Sequence, residues 1–137
     1  MLVSKQQKEN NEVIARRFHM DIFQKGDLSV ADEILDTNFI WRNSSIPSEL
    51  ANGPEGTKKV AAVVIDSVPD LRIMHDDTIS ENDKVMIRWT ITGTVMKEFF
   101  GIPASDKPIT VVGFDLFRFV SGKIVEMWQQ FSVGTWS

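Results

Sequence analysis

The chain has 137 residues, of which 42% are hydrophobic and 25% are charged, and this balance predicts one globular domain over residues 1–137 with a sizeable core. A formal net charge of −4 and a pI near 5.1 argue against a nucleic-acid or anionic-membrane surface, because both need a basic patch. The absence of cysteine excludes disulfides, a thiolate nucleophile and a cysteine metal site.

The N-terminal residues turn polar after the third position, so they lack the apolar core of a signal peptide. No other stretch is apolar for long enough to predict a membrane span. We therefore expect a soluble, cytoplasmic protein with neither a membrane nor a nucleic acid as its partner.

Three helices are predicted in the first half of the chain. Apolar residues at helical spacing predict the first over residues 5–24, ending at Gly26. Residues 28–35 predict a short second helix, with Asp27 as its cap. The third is expected over residues 55–67, ended by Pro69. Its predicted buried side consists of Val60, Val63, Val64 and Val68.

Alternating apolar residues predict β-strands in the rest of the chain. A short aromatic strand is expected at residues 38–43, and the strands after Pro69 are expected at 71–80, 85–100, 109–120 and 124–133. Helices followed by a run of hairpins are typical of an α+β fold. We expect three N-terminal helices packed on a curved, mostly antiparallel sheet.

One acidic residue stands in an apolar strand. Alternation predicts that Asp115 shares a strand face with Val111, Gly113, Phe117 and Phe119. Because an ionised carboxylate is destabilised by losing water, Asp115 must be paired, protonated or facing a cavity. The basic residues considered as partners are Arg88, Arg118 and Lys123, and Arg118 is expected on the opposite face.

The other face of the same strand is also apolar, with Val112, Phe114 and Leu116. A sheet covered by helices on one side should be polar on its other side. These residues therefore need a second cover, either a homodimer packed sheet to sheet or a C-terminal segment folded back.

Several pieces of the chain together resemble the SnoaL-like polyketide cyclase family, within the larger group that shares the nuclear transport factor two fold. The pieces are "RRFHMDIFQKGDLSVADEILDTNFI", "GPEGTKK", "PDLRI", "DKVMIRWTITGT", "EFFGIPAS" and "GFDLFRFVSGKIVEMW", and they run from Arg16 to Trp128. The resemblance implies a cone-shaped α+β barrel that encloses a deep apolar pocket. It also implies a homodimer through the outer face of the sheet.

In the cyclases of this family the carboxylate of G-x-D-x-F-R-F is the general acid/base of an aldol ring closure, without metal or organic cofactor. That position is Asp115 here. The resemblance thus implies an enzyme, a lyase-type cyclase or an isomerase, that acts on an apolar polyketide- or terpenoid-like carbonyl compound. The alternative is a non-catalytic protein of the same fold that binds a small ligand or has an accessory role.

Asn43 and His19 are the predicted catalytic helpers of Asp115. Trp41 and Asn43 resemble an aromatic and an Asn of the limonene epoxide hydrolases, and Asn43 is either a donor to an enolate oxygen or a turn residue. His19 falls where SnoaL-like cyclases often carry a tyrosine, and it is either a proton shuttle or a boundary histidine.

The predicted substrate-binding residues are Trp41, His75, Trp89, Phe117, Trp128 and Gln130. For His75 and the tryptophans a purely structural role is the competing interpretation. The histidines lack a pattern such as H-E-x-x-H, so no metal site is expected. Val95 and Gln129 stand where relatives often carry a histidine and an acidic or polar residue, which leaves Asp115 with neutral helpers and at most one histidine.

Overall fold

The first helix is present but changes its winding. The computed structural model describes residues 2–136. In it, α1 spans Lys5–Arg17 and is capped by Ser4, whose hydroxyl accepts from the Gln7 N–H. Residues Phe18–Gln24 continue α1 as a π-helix. This wider type of helical turn is rare in proteins, and where it occurs it is often at a functional site. The π-helix contains His19 and Phe23 among its buried residues.

The other two helices lie where they were expected. The short helix α2 spans Val30–Ile34, and α3 spans Gly53–Ser67 with Pro54 in its first turn. Val60 on α3 and Val68, the residue that follows the helix, are buried as predicted. The prediction for Val63 is wrong, since the buried stripe follows Val60 and Ala61 and leaves Val63 39% exposed.

Five strands form one curved sheet: β1 (Leu35–Arg42), β2 (Arg72–Glu81), β3 (Lys84–Gly93), β4 (Ile109–Val120) and β5 (Lys123–Val133). Their order is β1-β5-β4-β3-β2, and every neighbouring pair is antiparallel except β1 and β5. The predicted α+β architecture, three helices on a curved and mostly antiparallel sheet, is confirmed. The third strand is shorter than predicted, because the Thr94 N–H leaves the sheet and donates to Asp70.

Gly113 permits close packing on the inner face of the sheet. It pairs with Trp89 across β3 and β4. A Cβ at this position would lie 2.5 Å from Trp89 Cζ2 and 2.6 Å from the Gln130 carbonyl oxygen. Only a residue without a side chain lets the indole of Trp89 lie against β4 at Gly113.

A bulge in β5 decides which of its residues face inward. Arg118 pairs with Glu126 and Phe119 with Ile124, so Val125 is an extra residue. One extra residue moves every later side chain to the opposite face. After the bulge the residues that alternate toward the helices are Met127, Gln129 and Phe131.

The outer face of the sheet is partly covered within the chain. Val112 is only 3% exposed, and Phe114 lies against Trp136 near the C-terminus with ring centroids 5.2 Å apart. Phe114 and Trp128 nevertheless remain 38% and 37% exposed. Arg118 lies on this face as predicted, where it donates to Glu126.

The helices give no sign of a membrane segment. Within residues 2–136, none combines the length and the apolar composition needed to cross a bilayer.

We expect Gly113→Ala to lower the free energy of unfolding by about 1–3 kcal/mol, because the added methyl group overlaps the Trp89 indole and the backbone of β5. Urea denaturation monitored by tryptophan fluorescence measures the change. The control is Val120→Ala, an exposed position on the same strand. Equal stability of Gly113→Ala and the wild type would contradict the packing described for Trp89.

Candidate active site

Asp115 is fully buried and its partner is a histidine rather than a lysine or arginine. His19 Nε2 lies 2.5 Å from Asp115 Oδ2. Since an ionised carboxylate only accepts hydrogen bonds, the His19 ring donates from Nε2. The two residues are 96 positions apart in the chain, and the π-helix brings His19 over β4. The basic partners considered from the sequence are not used: Arg88 lies near Asp76, and Arg118 binds Glu126.

His75 extends the pair to a chain of three residues. Its Nε2 lies 2.7 Å from His19 Nδ1. Burial, followed by the positive charges of His19 and Arg16, lowers the pKa of His75 from 6.5 to about 4. His75 is therefore neutral at neutral pH, where it donates to a neutral His19 or accepts from a protonated one. These hydrogen bonds join a fully buried carboxylate to a half-buried ring on β2, which is an edge strand of the sheet.

Two buried polar atoms beside this chain have no partner among residues 2–136. They are the second carboxylate oxygen of Asp115, Oδ1, and the indole nitrogen of Trp89. A buried polar atom without a hydrogen bond destabilises a fold by about 1–3 kcal/mol. Such atoms are rare in native proteins and often mark functional positions.

An apolar cavity of about 130 Å³ lies between the helices and the inner face of the sheet. It is close in size to a cavity of about 150 Å³ that holds one benzene ring. Most of the residues that line it are apolar, including Phe18, Val64, Trp89, Ile91 and Phe131. The polar residues of its wall are His19, Asn43, Ser45 and Gln129.

Asp115 lies behind this wall. It is not among the lining residues, but three residues near it are. They are His19 through the hydrogen bond, Gln129 as its direct partner on β5, and Trp89, which pairs with Gly113 two positions before Asp115. The cavity therefore reaches the immediate neighbours of the carboxylate. Oδ1 would become accessible to a molecule in the cavity only if one of these side chains rotated.

Asn43, Trp41 and Gln129 form a second polar group in the wall. Gln129 Oε1 accepts from Asn43 Nδ2 at 2.5 Å and from Trp41 Nε1 at 3.2 Å. Asn43 Oδ1 accepts from the Ser45 N–H at 2.8 Å. Asn43 is thus both a turn residue, as one interpretation had it, and a donor inside the cavity, with its amide directed to Gln129.

The sequence-predicted site residues divide into three sets. His19, Asn43, Trp41 and Trp89 line the cavity. Asp115, His75 and Phe117 are not lining residues, so the prediction that His75 and Phe117 line the pocket is wrong. Phe117 instead packs edge-on against His19, with ring centroids 5.9 Å apart, and His75 is hydrogen-bonded to His19. The prediction that Trp128 and Gln130 line the pocket is wrong, because the β5 bulge directs both residues to the outer face.

The glutamine that lines the cavity is Gln129, whereas the prediction was Gln130. The residue pair "QQ" in the sequence marks this position, but alternation within β5 does not show that Val125 forms a bulge. A bulge is set by pairing with β4, so the choice between the two glutamines depends on a contact distant in the chain.

Metal ligands do not gather at this site. Over the described range of the chain, no three histidine or carboxylate side chains lie close enough together to hold an ion.

The family model for SnoaL-like polyketide cyclases matches residues 13–134. The chain belongs to the SnoaL-like polyketide cyclase family. The buried carboxylate of β4 and the apolar cavity are thus features of a family member, and the resemblance of the separate sequence pieces is confirmed. None of the curated proteins matches this chain.

Solved structures share the SnoaL-like fold with this chain at low sequence identity. TsrD from Streptomyces laurentii is 22% identical, with a TM-score of 0.77 and coverage of 95% of this chain and 91% of TsrD. IdmH from Streptomyces antibioticus is 23% identical, with a TM-score of 0.72 and coverage of 89% and 91%. A SnoaL-like polyketide cyclase from Agrobacterium tumefaciens is 16% identical, with a TM-score of 0.74 and the same coverage. These similarities show the fold.

The lowered pKa of His75 predicts a pH-dependent stability. Between pH 6.5 and about 4 the unfolded chain takes up a proton at His75 that the folded chain does not bind. The unfolded state therefore binds more protons, and the free energy of unfolding decreases as the pH is lowered through this range. In His75→Gln this contribution is removed while His19 keeps a hydrogen-bonding neighbour.

Urea denaturation at pH 7, 5.5 and 4.5 measures the effect. We expect the wild type to lose more stability than His75→Gln between the first and the last of these pH values. A parallel loss in the two proteins would contradict the burial and the charge environment assigned to His75.

Proposed function

We propose that this SnoaL-like protein is a small-molecule enzyme in which Asp115 is the general acid/base of a cofactor-free cyclisation or isomerisation. The proposed substrate is an apolar carbonyl compound. The observation that supports the proposal best is a fully buried carboxylate with one unpartnered oxygen beside an apolar cavity.

The surroundings of Asp115 suit proton transfer from carbon. The His19 N–H occupies Oδ2, so Oδ1 is the oxygen left to accept a proton. The cavity wall next to the carboxylate is largely apolar, so a ketone held there has few competing hydrogen-bond partners. The hydrogen bonds that join His75, His19 and Asp115 hold the carboxylate in place.

The proposed reaction transfers protons only between the substrate and Asp115. Asp115 Oδ1 takes a proton from the carbon next to a carbonyl group, and the C–H electron pair forms an enolate. In an aldol closure the enolate carbon attacks a second carbonyl carbon, a C–C bond forms, and the resulting alkoxide takes the proton back from Asp115. In an isomerisation the proton returns to a different carbon. No step needs a metal or an organic cofactor.

A non-catalytic binding protein is the second candidate, and one observation favours it. Asp115 lies behind His19, Trp89 and Gln129 rather than in the cavity wall. If the wall stays closed, a ligand fills the cavity without touching the carboxylate. The two candidates differ in whether the carboxylate exchanges protons with a bound ketone.

Proton exchange on a probe ketone tests the proposed role of Asp115. Acetophenone has one ring and a methyl group next to its carbonyl carbon, and deuterium uptake by this methyl group in D₂O is measured by ¹H NMR. We expect the wild type to accelerate the uptake and Asp115→Asn to lose about 10²- to 10⁴-fold of that acceleration. The matched control is Asp106→Asn, an exposed acid in the loop before β4.

Circular dichroism and urea denaturation establish that Asp115→Asn is folded. Unchanged acceleration in a folded Asp115→Asn would rule out this carboxylate as the base. Acetophenone that binds to the wild type without any exchange would favour the binding protein.

We also propose that the protein forms a homodimer through the outer face of its sheet. The support is the exposed aromatic surface that the C-terminal segment leaves uncovered, at Phe114 and Trp128. An apolar sheet face of this kind is typical of an interface between two copies. The C-terminal segment and a partner then cover adjoining parts of the face.

Analytical ultracentrifugation tests the dimer. We expect a wild-type dimer and a monomeric Phe114→Glu variant, because the introduced carboxylate would lose its water in the interface. Val13→Glu, at an exposed apolar position on α1, is the control and should leave the dimer intact. A monomeric wild type, or a dimer that Phe114→Glu does not weaken, would contradict this interface.

A further inference from the structure

We propose that the Gln129 side-chain amide is a donor that binds the carbonyl oxygen of the substrate. The inference deepens the proposed function, since it rests on the same cavity, and it assigns Gln129 as a residue that selects ketones over hydrocarbons of the same shape. The support is the hydrogen bonding that fixes the orientation of its amide group.

The orientation of the Gln129 amide follows from its two neighbours. The Trp41 indole nitrogen can only donate, so the Gln129 atom 3.2 Å away must be the oxygen, Oε1. Asn43 is oriented independently, because its Oδ1 accepts from the Ser45 backbone N–H and its Nδ2 therefore faces Gln129. Both neighbours place the oxygen of Gln129 against β1 and leave its Nε2 on the other side.

The nitrogen of Gln129 is available for a ligand. Counting the described residues alone, its Nε2 makes no hydrogen bond. Gln129 is a lining residue of the cavity, and it is the direct partner of Asp115 in the pairing of β4 and β5. Directly paired residues have Cβ atoms about 4.5–5.5 Å apart on one sheet face. The donor Gln129 and the proposed base Asp115 are therefore adjacent on one face of the sheet.

Gln129 and Asp115 are placed to contact the two reacting parts of an enolising ketone, its carbonyl oxygen and the carbon next to it. The carbonyl oxygen gains negative charge as the adjacent carbon loses its proton, and an oriented N–H stabilises that charge. The rest of the wall is largely apolar, so a ligand with one oxygen and a hydrocarbon body fits better than one with several polar groups. The cavity volume of about 130 Å³ corresponds to a body of about one ring.

Two ligands of equal shape isolate this hydrogen bond. Acetophenone and α-methylstyrene differ in having C=O or C=CH₂ at the same position. We expect the wild type to bind acetophenone about tenfold more tightly, the ratio that corresponds to one net hydrogen bond. Gln129→Met should lose the preference, and Gln130→Met, which changes the outward-facing glutamine next to it, should keep it.

A second variant and a measurement on the wild type test the same hydrogen bond without relying on Gln129→Met alone. Gln129→Glu in its ionised form keeps an acceptor for Trp41 and Asn43 but has no hydrogen to donate, so at a pH where this carboxyl is ionised it should also lose the preference. In the wild type, ¹H–¹⁵N NMR should show the Gln129 side-chain amide signals shifting with acetophenone and not with α-methylstyrene.

The outcomes separate this inference from the proposed function. Equal affinity of the wild type for the two ligands, a preference that survives in Gln129→Met, or amide signals that respond alike to both ligands would overturn the role of Gln129. Asp115→Asn should retain the preference for acetophenone while losing proton exchange. If Asp115→Asn still catalyses exchange, the base is misassigned while the donor role of Gln129 stands.

Discussion

The hydrogen bond between Asp115 and His19 is the interaction on which the rest of the site depends. A carboxylate taken out of water destabilises a fold by several kcal/mol unless a partner compensates it. Asp115 is fully buried, and its partner is a ring held by the π-helix that follows α1. Through His75 the same ring is tied to β2. Three elements that are distant in the chain therefore meet at one carboxylate.

The packing around this bond also shapes the cavity. Phe18 and Phe117 lie against each other and against the His19 ring, which fixes the position of the ring from two sides. The indole of Trp89 lies against Gly113 and forms part of the wall. Apolar packing excludes water, and in a medium of low polarity the few polar groups that remain interact strongly with a ligand. The same packing contacts thus form the apolar wall and fix the polar groups beside it.

Local patterns predict much of the fold but only part of the site. The period of two in β4 places Asp115 on the inner face, because alternation is a property of a single strand. The pairing of Asp115 with His19 could not be predicted this way, since it joins residues 96 positions apart. The same holds for Gln129 and Gln130, whose faces depend on a bulge that only the pairing of β5 with β4 creates. The features that local patterns did not predict are therefore those set by contacts between residues distant in the chain.

The central claim is that Asp115 reaches a reacting carbon in the cavity. A crystal structure with acetophenone bound tests this claim most directly. The account predicts a rotated side chain in the wall and contact between Asp115 Oδ1 and the methyl carbon next to the carbonyl group. Acetophenone seated in the cavity with the His19 ring still between it and Asp115 would contradict the claim and leave a binding site without a base.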